Sequence, residues 1–157
     1  MAGSVSTQPV YSPHDLLTQL LGLNQDNRLQ VIEAVAEGLD ISAFERVAAA
    51  LGVTEKHLAE LLRIKPSTQA RRQRSGKLSR DESERLYRIA FLVERAVQVL
   101  GSLEVAQRWL DTRKRALGGV TPLVLAKTEP GAREVEDLLG RIEYGILSCP
   151  KKCPNGE

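Results

Sequence analysis

Apolar side chains recur at intervals of three and four residues along most of this chain, and no stretch alternates apolar with polar residues. The clearest run lies in the predicted longest helix and consists of Leu86, Ile89, Ala90, Val93, Ala96, Val97 and Leu100. This spacing places side chains on one face of an α-helix, whereas a half-buried strand would need a period of two. The pattern predicts an all-α fold.

The composition indicates how such helices pack. Aromatic residues make up 4% of the 157 residues and hydrophobic residues 42%, so Leu, Val, Ala and Ile must supply the core. An aliphatic core favours packed helices over a β-sandwich, which uses β-branched and aromatic residues. The length allows one domain, or two small ones that share a core.

Capping residues divide the chain into short helices. Ser12 and Pro13 begin the first helix, Ser42 is the predicted cap of the third, and Ser79 with Glu82 forms a capping box before the longest helix. The second helix is predicted to bury one face, made of Leu29, Ile32, Val35 and Ala36.

Positive charge is concentrated in one short segment. The net charge is only +2, yet residues 63–80 contain no acidic residue and seven basic ones: Arg63, Lys65, Arg71, Arg72, Arg74, Lys77 and Arg80. Such a block in a nearly neutral chain indicates an anionic partner, and phosphate is the anion that we favour.

The same segment has the order of a helix-turn-helix. Leu58, Ala59 and Leu62 suit the packed face of a first helix, a break follows at 63–65, and Pro66 begins a second short helix. The second helix would enter the major groove, where Ser67 and Gln69 can read base edges. The predicted DNA-binding residues are Lys65, Ser67, Thr68, Gln69, Arg71, Arg72, Arg74 and Lys77.

Two positions depart from the usual helix-turn-helix pattern. The turn usually has a glycine where this chain has Arg63, and the recognition helix usually has an aliphatic residue where this chain has Gln69. A plain helical hairpin whose basic face is only solvated is therefore a second interpretation. We favour DNA contact because seven like charges without a counter-charge are uncommon on such a hairpin.

The titratable residues do not indicate an enzyme or a metal site. His14 and His57 are far apart in the sequence, and Cys149 and Cys153 lie together in the last nine residues. Catalysis needs converging groups and a structural zinc site needs about four ligands. We therefore expect no catalytic residue, no cofactor and no metal.

Nothing in the sequence indicates a membrane or export. No apolar run approaches the roughly 20 residues that span a bilayer. Residues 1–13 have neither a basic residue nor an apolar core, unlike a signal peptide. We expect a cytoplasmic protein.

Four segments together resemble one family. Their positions are 78–89, 106–110, 116–123 and 131–145, and the last ends with Arg141, Tyr144 and Gly145. In this order they resemble the Xre/MbcA/ParS-type antitoxins over about residues 30–147. The resemblance implies a toxin-binding C-terminal domain that ends in this arginine–aromatic–glycine signature.

The resemblance also implies a biological role. The usual partner is a RES-domain toxin that destroys NAD, and the antitoxin obstructs its substrate pocket. The N-terminal half binds the promoter of the operon, and such antitoxins generally form homodimers, as a two-fold operator requires. The implied organisation is a flexible arm (1–11), a helix-turn-helix region (12–78), a connecting helix (79–101), a toxin-binding domain (102–147) and a polar tail (148–157).

The toxin-binding residues that the resemblance implies have structural interpretations as well. They are Trp109, Leu117, Gly118, Gly119, Pro122, Arg141, Tyr144 and Gly145. Trp109 can pack in the core, which we favour, or anchor an interface, and the two glycines can form a tight turn. Arg141 should point away from the buried face of the last helix, where it can pair with a partner carboxylate or remain solvated.

Two other functions remain open at this point. The chain can be a stand-alone transcriptional regulator that uses its C-terminal helices for self-association or ligand sensing. It can also be a protein-binding adaptor whose helix-turn-helix has decayed, since Arg63 and Gln69 permit that. The tail after residue 147 can enter the toxin pocket, a hypothesis that rests on its position alone.

Overall fold

Helices account for all the regular structure in the part of the chain that is described. A computed structural model describes residues 16–23 and 28–145, and the all-α prediction is confirmed there. The helices are α1 (Leu16–Leu21), α2 (Arg28–Glu37), α3 (Ile41–Leu51), α4 (Glu55–Leu61), α5 (Pro66–Ser75), α6 (Arg80–Leu100), α7 (Leu103–Leu110), α8 (Pro122–Leu125) and α9 (Glu129–Glu143), with a 3-10 turn at Arg115–Leu117.

Polar side chains cap several of these helices, and the cap predicted for α6 is correct. The Ser79 hydroxyl accepts the Glu82 N–H, and the Glu82 carboxylate accepts the Ser79 N–H at 2.8 Å, so the capping box is confirmed. The prediction that Ser42 caps α3 is wrong. Asp40 is the cap, and its carboxylate accepts the Ser42 N–H at 3.0 Å, which also lowers the pKa of Asp40.

One hydrophobic core extends from α1 to α9, and α6 runs through it. The predicted stripe of α6 is buried at Leu86, Ile89, Ala90, Val93, Ala96 and Val97, while Leu100 is half-buried. On its two sides α6 packs against α1, α2 and α3 and against α7 and α9. The chain therefore forms one packed unit around a central helix.

The prediction of the buried face of α2 is largely wrong. Val31 and Val35 are buried, whereas Leu29 and Ile32 are 64% and 63% exposed and Ala36 is exposed as well. The helix carries two apolar stripes, and the one through Val31 and Val35 packs toward α6. Helical spacing identifies such stripes but does not determine which of them meets a neighbouring helix.

The connection before α3 is paired with the connection before α6. The Ile41 N–H donates to the Gly76 carbonyl and the Leu78 N–H donates to the Leu39 carbonyl, both at 2.9 Å. Gly38, at φ 106°, allows this approach, because a Cβ there would lie 2.3 Å from the Leu78 carbonyl oxygen. The start of α3 and the end of α5 therefore lie side by side. The helices α4 and α5 occupy the chain between these two paired connections.

The C-terminal helices are attached to both α6 and α3. Arg95 of α6 pairs with Glu143 of α9, and the Gln107 side-chain amide of α7 donates to the Ala50 carbonyl of α3. Between α8 and α9 the backbones are so close that a Cβ on Gly131 would lie 1.9 Å from the Leu125 carbonyl oxygen. The C-terminal half therefore packs directly on the N-terminal half.

Several predictions fall outside residues 16–23 and 28–145. These are the arm at 1–11, the helix start at Ser12 and Pro13, the two cysteines and the tail. Within the described residues no helix is both long and apolar enough to cross a membrane.

Because one core joins the two halves, we expect the protein to unfold in a single transition. Circular dichroism measures the helix content of the whole protein. Fluorescence of Trp109, the only tryptophan, reports on α7. The two denaturant midpoints should coincide, as they do for cooperative single domains. An earlier fluorescence midpoint would instead mean that α7–α9 unfold separately.

Candidate nucleic-acid and partner interfaces

The turn between α4 and α5 has helix-turn-helix geometry even though it lacks a glycine. Arg63 has φ 58°, and no other non-glycine residue among those described has a positive φ. The Ile64 N–H closes the turn on the Ala59 carbonyl at 2.8 Å, and Ile64 is buried. The departure at Arg63 therefore does not prevent the turn, although a side chain in this conformation costs about 1–2 kcal/mol.

One side of α5 is exposed and carries two arginines. Ser67, Arg71 and Arg74 lie four and three residues apart, so they share this side, and all three are exposed. Lys65 and Lys77 are exposed just before and after the helix. Among the described residues no carboxylate forms an ion pair with any of these four cations, so their charge faces solvent. We call Ser67, Arg71 and Arg74 the outer face of α5.

The opposite side of α5 is polar as well. Thr68, Gln69 and Arg72 are half-buried, and α5 has no buried residue at all. The missing aliphatic residue at Gln69 is therefore not replaced by another apolar contact within the helix. Three of the eight predicted DNA-binding residues face the protein rather than open solvent.

Arg72 is held by a carboxylate of α6. Its Nε lies 2.8 Å from Glu82 Oε2 and its Nη2 lies 3.4 Å from Oε1, so the contact is two-pronged. Burial raises the pKa of Glu82, but the bonds from the Ser79 N–H and Arg72 outweigh burial and hold that pKa below its ordinary value. A second polar contact joins Gln73 Nε2 of α5 to Glu55 Oε2 of α4 at 2.9 Å.

Two neighbours of Glu82 attach the rest of the motif to α6. Arg85, one helical turn further on, donates to the Leu62 carbonyl in the turn at 3.0 Å. Ser83 accepts the Leu39 N–H at 2.8 Å in a buried contact. Arg85 and Ser83 lie in the segment 78–89 that carries the family resemblance, but nothing in the sequence indicated either contact. The capping box singled out Glu82, but it gave no sign of the contact with Arg72.

The predicted toxin-binding residues divide into buried and exposed groups. Leu117 and Pro122 are buried, and Trp109 is half-buried with Lys114 Nζ at 5.0 Å from its ring centroid. Burial also lowers the pKa of Lys114. Leu117 is therefore part of the core, and Trp109 packs against it. Val105, one helical turn before Trp109, is 45% exposed.

Gly118 and Gly119 form the tip of an exposed loop. Their φ angles are 74° and 81°, as the tight-turn interpretation requires, and a Cβ on either would meet no atom within 4 Å. The loop is closed by the Lys114 N–H on the Val120 carbonyl at 3.0 Å and by the Gly119 N–H on the Lys114 carbonyl at 2.9 Å. It is open on its outer side, where a partner can approach.

The end of α9 is the other exposed part of the predicted toxin site. Arg141 and Gly145 are exposed, and Tyr144 is 74% exposed. Val135, Leu138 and Leu139 bury the inner face of the same helix. Arg141 therefore points away from the core, as the sequence predicts.

Comparison with known proteins decides the family. A family model described as the Antitoxin Xre-like helix-turn-helix domain matches residues 30–90, and the Antitoxin Xre/MbcA/ParS C-terminal toxin-binding domain matches residues 95–145. The chain is 30% identical over 133 residues to Antitoxin Xre of Yersinia enterocolitica, across 82% of this chain and 88% of that protein. The chain belongs to the Xre/MbcA/ParS family of antitoxins.

Other relatives carry related names. Antitoxin Xre of Photorhabdus laumondii is 42% identical over 74 residues, which span 46% of this chain but only half of that protein. The Prs ADP-ribosylating antitoxin of Sphingobium is 32% identical over 127 residues, or 74% of this chain and 80% of that protein. The resemblance stated from the sequence is confirmed, and membership in an antitoxin family agrees with the prediction that the chain is not an enzyme.

The two matched domains meet inside one helix of this antitoxin. The helix-turn-helix match ends at residue 90 and the toxin-binding match begins at residue 95. Both positions lie within α6, which runs without a break from Arg80 to Leu100. A rigid helix therefore connects the two interfaces.

We expect Arg63→Gly to stabilise the antitoxin. Relief of the left-handed strain, about 1–2 kcal/mol, should exceed the extra freedom of glycine in the unfolded chain, about 0.4–1 kcal/mol. The free energy of unfolding should therefore rise by up to about 1.6 kcal/mol. Denaturant unfolding measures this change. Arg63→Ala is the control, since it removes the same charge but keeps a Cβ, and an equal gain there would contradict the argument.

Proposed function

We propose that this antitoxin neutralises a RES-domain toxin that degrades NAD, and that it represses its own operon by binding promoter DNA through α5. The observation that supports DNA binding best is the outer face of α5, which is exposed, basic and without carboxylate partners among the described residues. A toxin-binding domain packed on the same α6 supports the first role.

The outer face of α5 fits a DNA groove by its shape and charge. Arg71 and Arg74 can contact phosphates or guanine, and Ser67 near the helix start can approach base edges. Lys65 and Lys77 extend the positive surface beyond both ends of the helix. Gln69 and Thr68 face the protein side, so base reading falls mainly to the outer face.

We expect the double substitution Arg71→Ala and Arg74→Ala to weaken promoter binding. Each lost phosphate contact should make the slope of log affinity against log salt shallower by about 0.9, or about 2 for the pair. Fluorescence anisotropy on a promoter fragment at several salt concentrations measures this slope.

Arg113→Ala with Arg115→Ala is the matched control for that measurement. It removes the same charge from exposed positions in the C-terminal half and should leave the slope unchanged. If both double variants reduce the slope equally, the binding is a general charge effect and α5 is not the reading helix.

The toxin interface that we propose consists of the glycine loop and the end of α9. Gly118 and Gly119 present a smooth, open backbone, while Arg141 and Tyr144 supply a planar cation and an exposed aromatic ring. Arginine and tyrosine are enriched among residues that dominate protein interfaces. A guanidinium at Arg141 also suits a carboxylate near the toxin's substrate pocket.

We expect Arg141→Glu to weaken toxin binding by about tenfold or more, which corresponds to about 1.4 kcal/mol. Promoter binding should not change, because α5 is untouched. The measurement is co-purification and titration with the toxin encoded by the adjacent reading frame. Arg133→Glu is the control: it makes the same charge change at an exposed position two turns earlier in α9, and it should bind normally. Equal losses would exclude a specific role for Arg141.

The toxin chemistry has two candidates, and one assay separates them. Co-expression of the antitoxin with the adjacent reading frame should restore the cellular NAD that the toxin alone removes. The second candidate is ADP-ribosyl transfer, which the name of the Sphingobium relative, Prs ADP-ribosylating antitoxin, suggests. Transfer of labelled ADP-ribose to protein supports that chemistry, whereas loss of NAD without transfer supports NAD degradation.

We also propose that the antitoxin acts as a homodimer. A promoter site with two half-sites matches a two-fold protein, since each copy places one recognition helix in one half-site. Light scattering of the free antitoxin should then give twice the chain mass of 17.3 kDa. A stand-alone regulator, the alternative from the sequence, would give no complex with any adjacent gene product.

A further inference from the structure

The attachment of α5 to the protein differs from that of its neighbours. Amphipathic helices dock mainly through a buried apolar stripe, and α3, α4 and α6 each bury such a stripe. The α5 helix buries none. Its contacts with neighbouring helices must therefore come from half-buried and polar side chains.

The strongest of these contacts converges on Glu82. This carboxylate is only 7% exposed, and its two oxygens accept from Nε and Nη2 of Arg72. Two-pronged arginine–carboxylate contacts fix the relative orientation of both groups, because the guanidinium is planar. A second side-chain hydrogen bond from α5 to another helix, Gln73 to Glu55, is exposed and so competes with water.

Glu82 is itself held in place. Its Oε2 atom also accepts the Ser79 N–H at 2.8 Å, and its own N–H donates to the Ser79 hydroxyl. The residue stands in the first turn of α6, which the neighbouring Ser83 anchors to the Leu39 N–H. The carboxylate is therefore a fixed point on the rigid part of the molecule.

We propose that Glu82 is a positioning residue for DNA binding, which orients α5 through Arg72 so that the outer face can enter a groove. This inference rests on the proposed promoter binding through α5. Arg72 acts as the link between the helix and α6, and the phosphate contacts come from Arg71, Arg74 and the flanking lysines.

The positioning role and simple electrostatics predict opposite effects of Glu82→Gln on promoter affinity. A carboxylate beside DNA repels phosphate, and its removal would free Arg72 as an additional cation. On charge alone, Glu82→Gln should bind promoter DNA more tightly and with a steeper salt dependence. On the positioning role, the same variant should bind more weakly, because α5 loses its fixed orientation.

The test compares Glu82→Gln with Glu84→Gln on the promoter fragment. Glu84 lies on the same turn of α6 and is exposed, and within the described part of the chain its only ion pair is with Arg80 of its own helix. It therefore controls for the loss of one negative charge. We expect Glu82→Gln to lose roughly tenfold or more in affinity, and Glu84→Gln to bind as well as the unaltered protein or slightly better.

Ser79→Ala separates the positioning role from the helix cap. It removes the hydroxyl half of the capping box but keeps both Arg72–Glu82 bonds, so promoter affinity should change much less than in Glu82→Gln. The double variant Arg72→Gln with Glu82→Gln should lose no more affinity than the worse of its single variants, because both act through one contact. Additive losses would overturn the proposal.

Hydrogen exchange in the free protein tests the proposal independently of DNA binding. In free Glu82→Gln, amides of α5 should exchange faster, while those of α7 and α9 should keep their protection and toxin binding should be unaffected. Unchanged protection of α5, or promoter affinity equal to or above that of the unaltered protein, would overturn the proposal. If the unaltered protein binds no promoter DNA, the proposed function fails, and the exchange of α5 still decides whether Glu82 holds the helix.

Discussion

Three buried polar residues of α6 determine how the N-terminal half is arranged. Buried polar groups are costly unless they are hydrogen-bonded, and the three buried polar residues among those described all lie on α6: Glu82, Ser83 and Glu94. Glu82 holds Arg72 of α5, Ser83 holds the Leu39 N–H before α3, and Glu94 accepts the Leu17 N–H of α1. Each contact attaches a different segment to the same helix, so the register of α6 fixes the others.

Because both matched domains include part of α6, the proposed DNA-binding and toxin-binding surfaces lie on one folded unit. The core is continuous from α1 to α9, and Gln107 of α7 bonds directly to the Ala50 carbonyl of α3. Because packed interiors deform little, a toxin bound to the glycine loop and the end of α9 would meet a body that already holds α5 in place. The family's two domains are therefore better regarded as two surfaces of one folded unit.

Local patterns predicted the elements well, and long-range contacts account for what they missed. The capping box at Ser79 and the stripe of α6 depend on residues close in sequence, so the sequence was sufficient. The buried face of α2 depends on which of two apolar stripes meets α6, and periodicity is the same for both. The pairing of Arg72 with Glu82 joins residues ten apart across a turn, and in the sequence both residues had plausible local roles.

The departures at Arg63 and Gln69 have different physical consequences. At Arg63 the cost is local strain, which the surrounding bonds of Ile64 and Leu62 overcome. At Gln69 the helix lacks the apolar side chain that would be buried there. No backbone hydrogen bond can replace the free energy of that burial. The pair of Arg72 and Glu82 does not restore that burial, but it can orient the helix, because the contact is directional and remains intact only when both partners are in register. An α5 helix attached in this way leaves Arg71 and Arg74 exposed and available to an anionic partner.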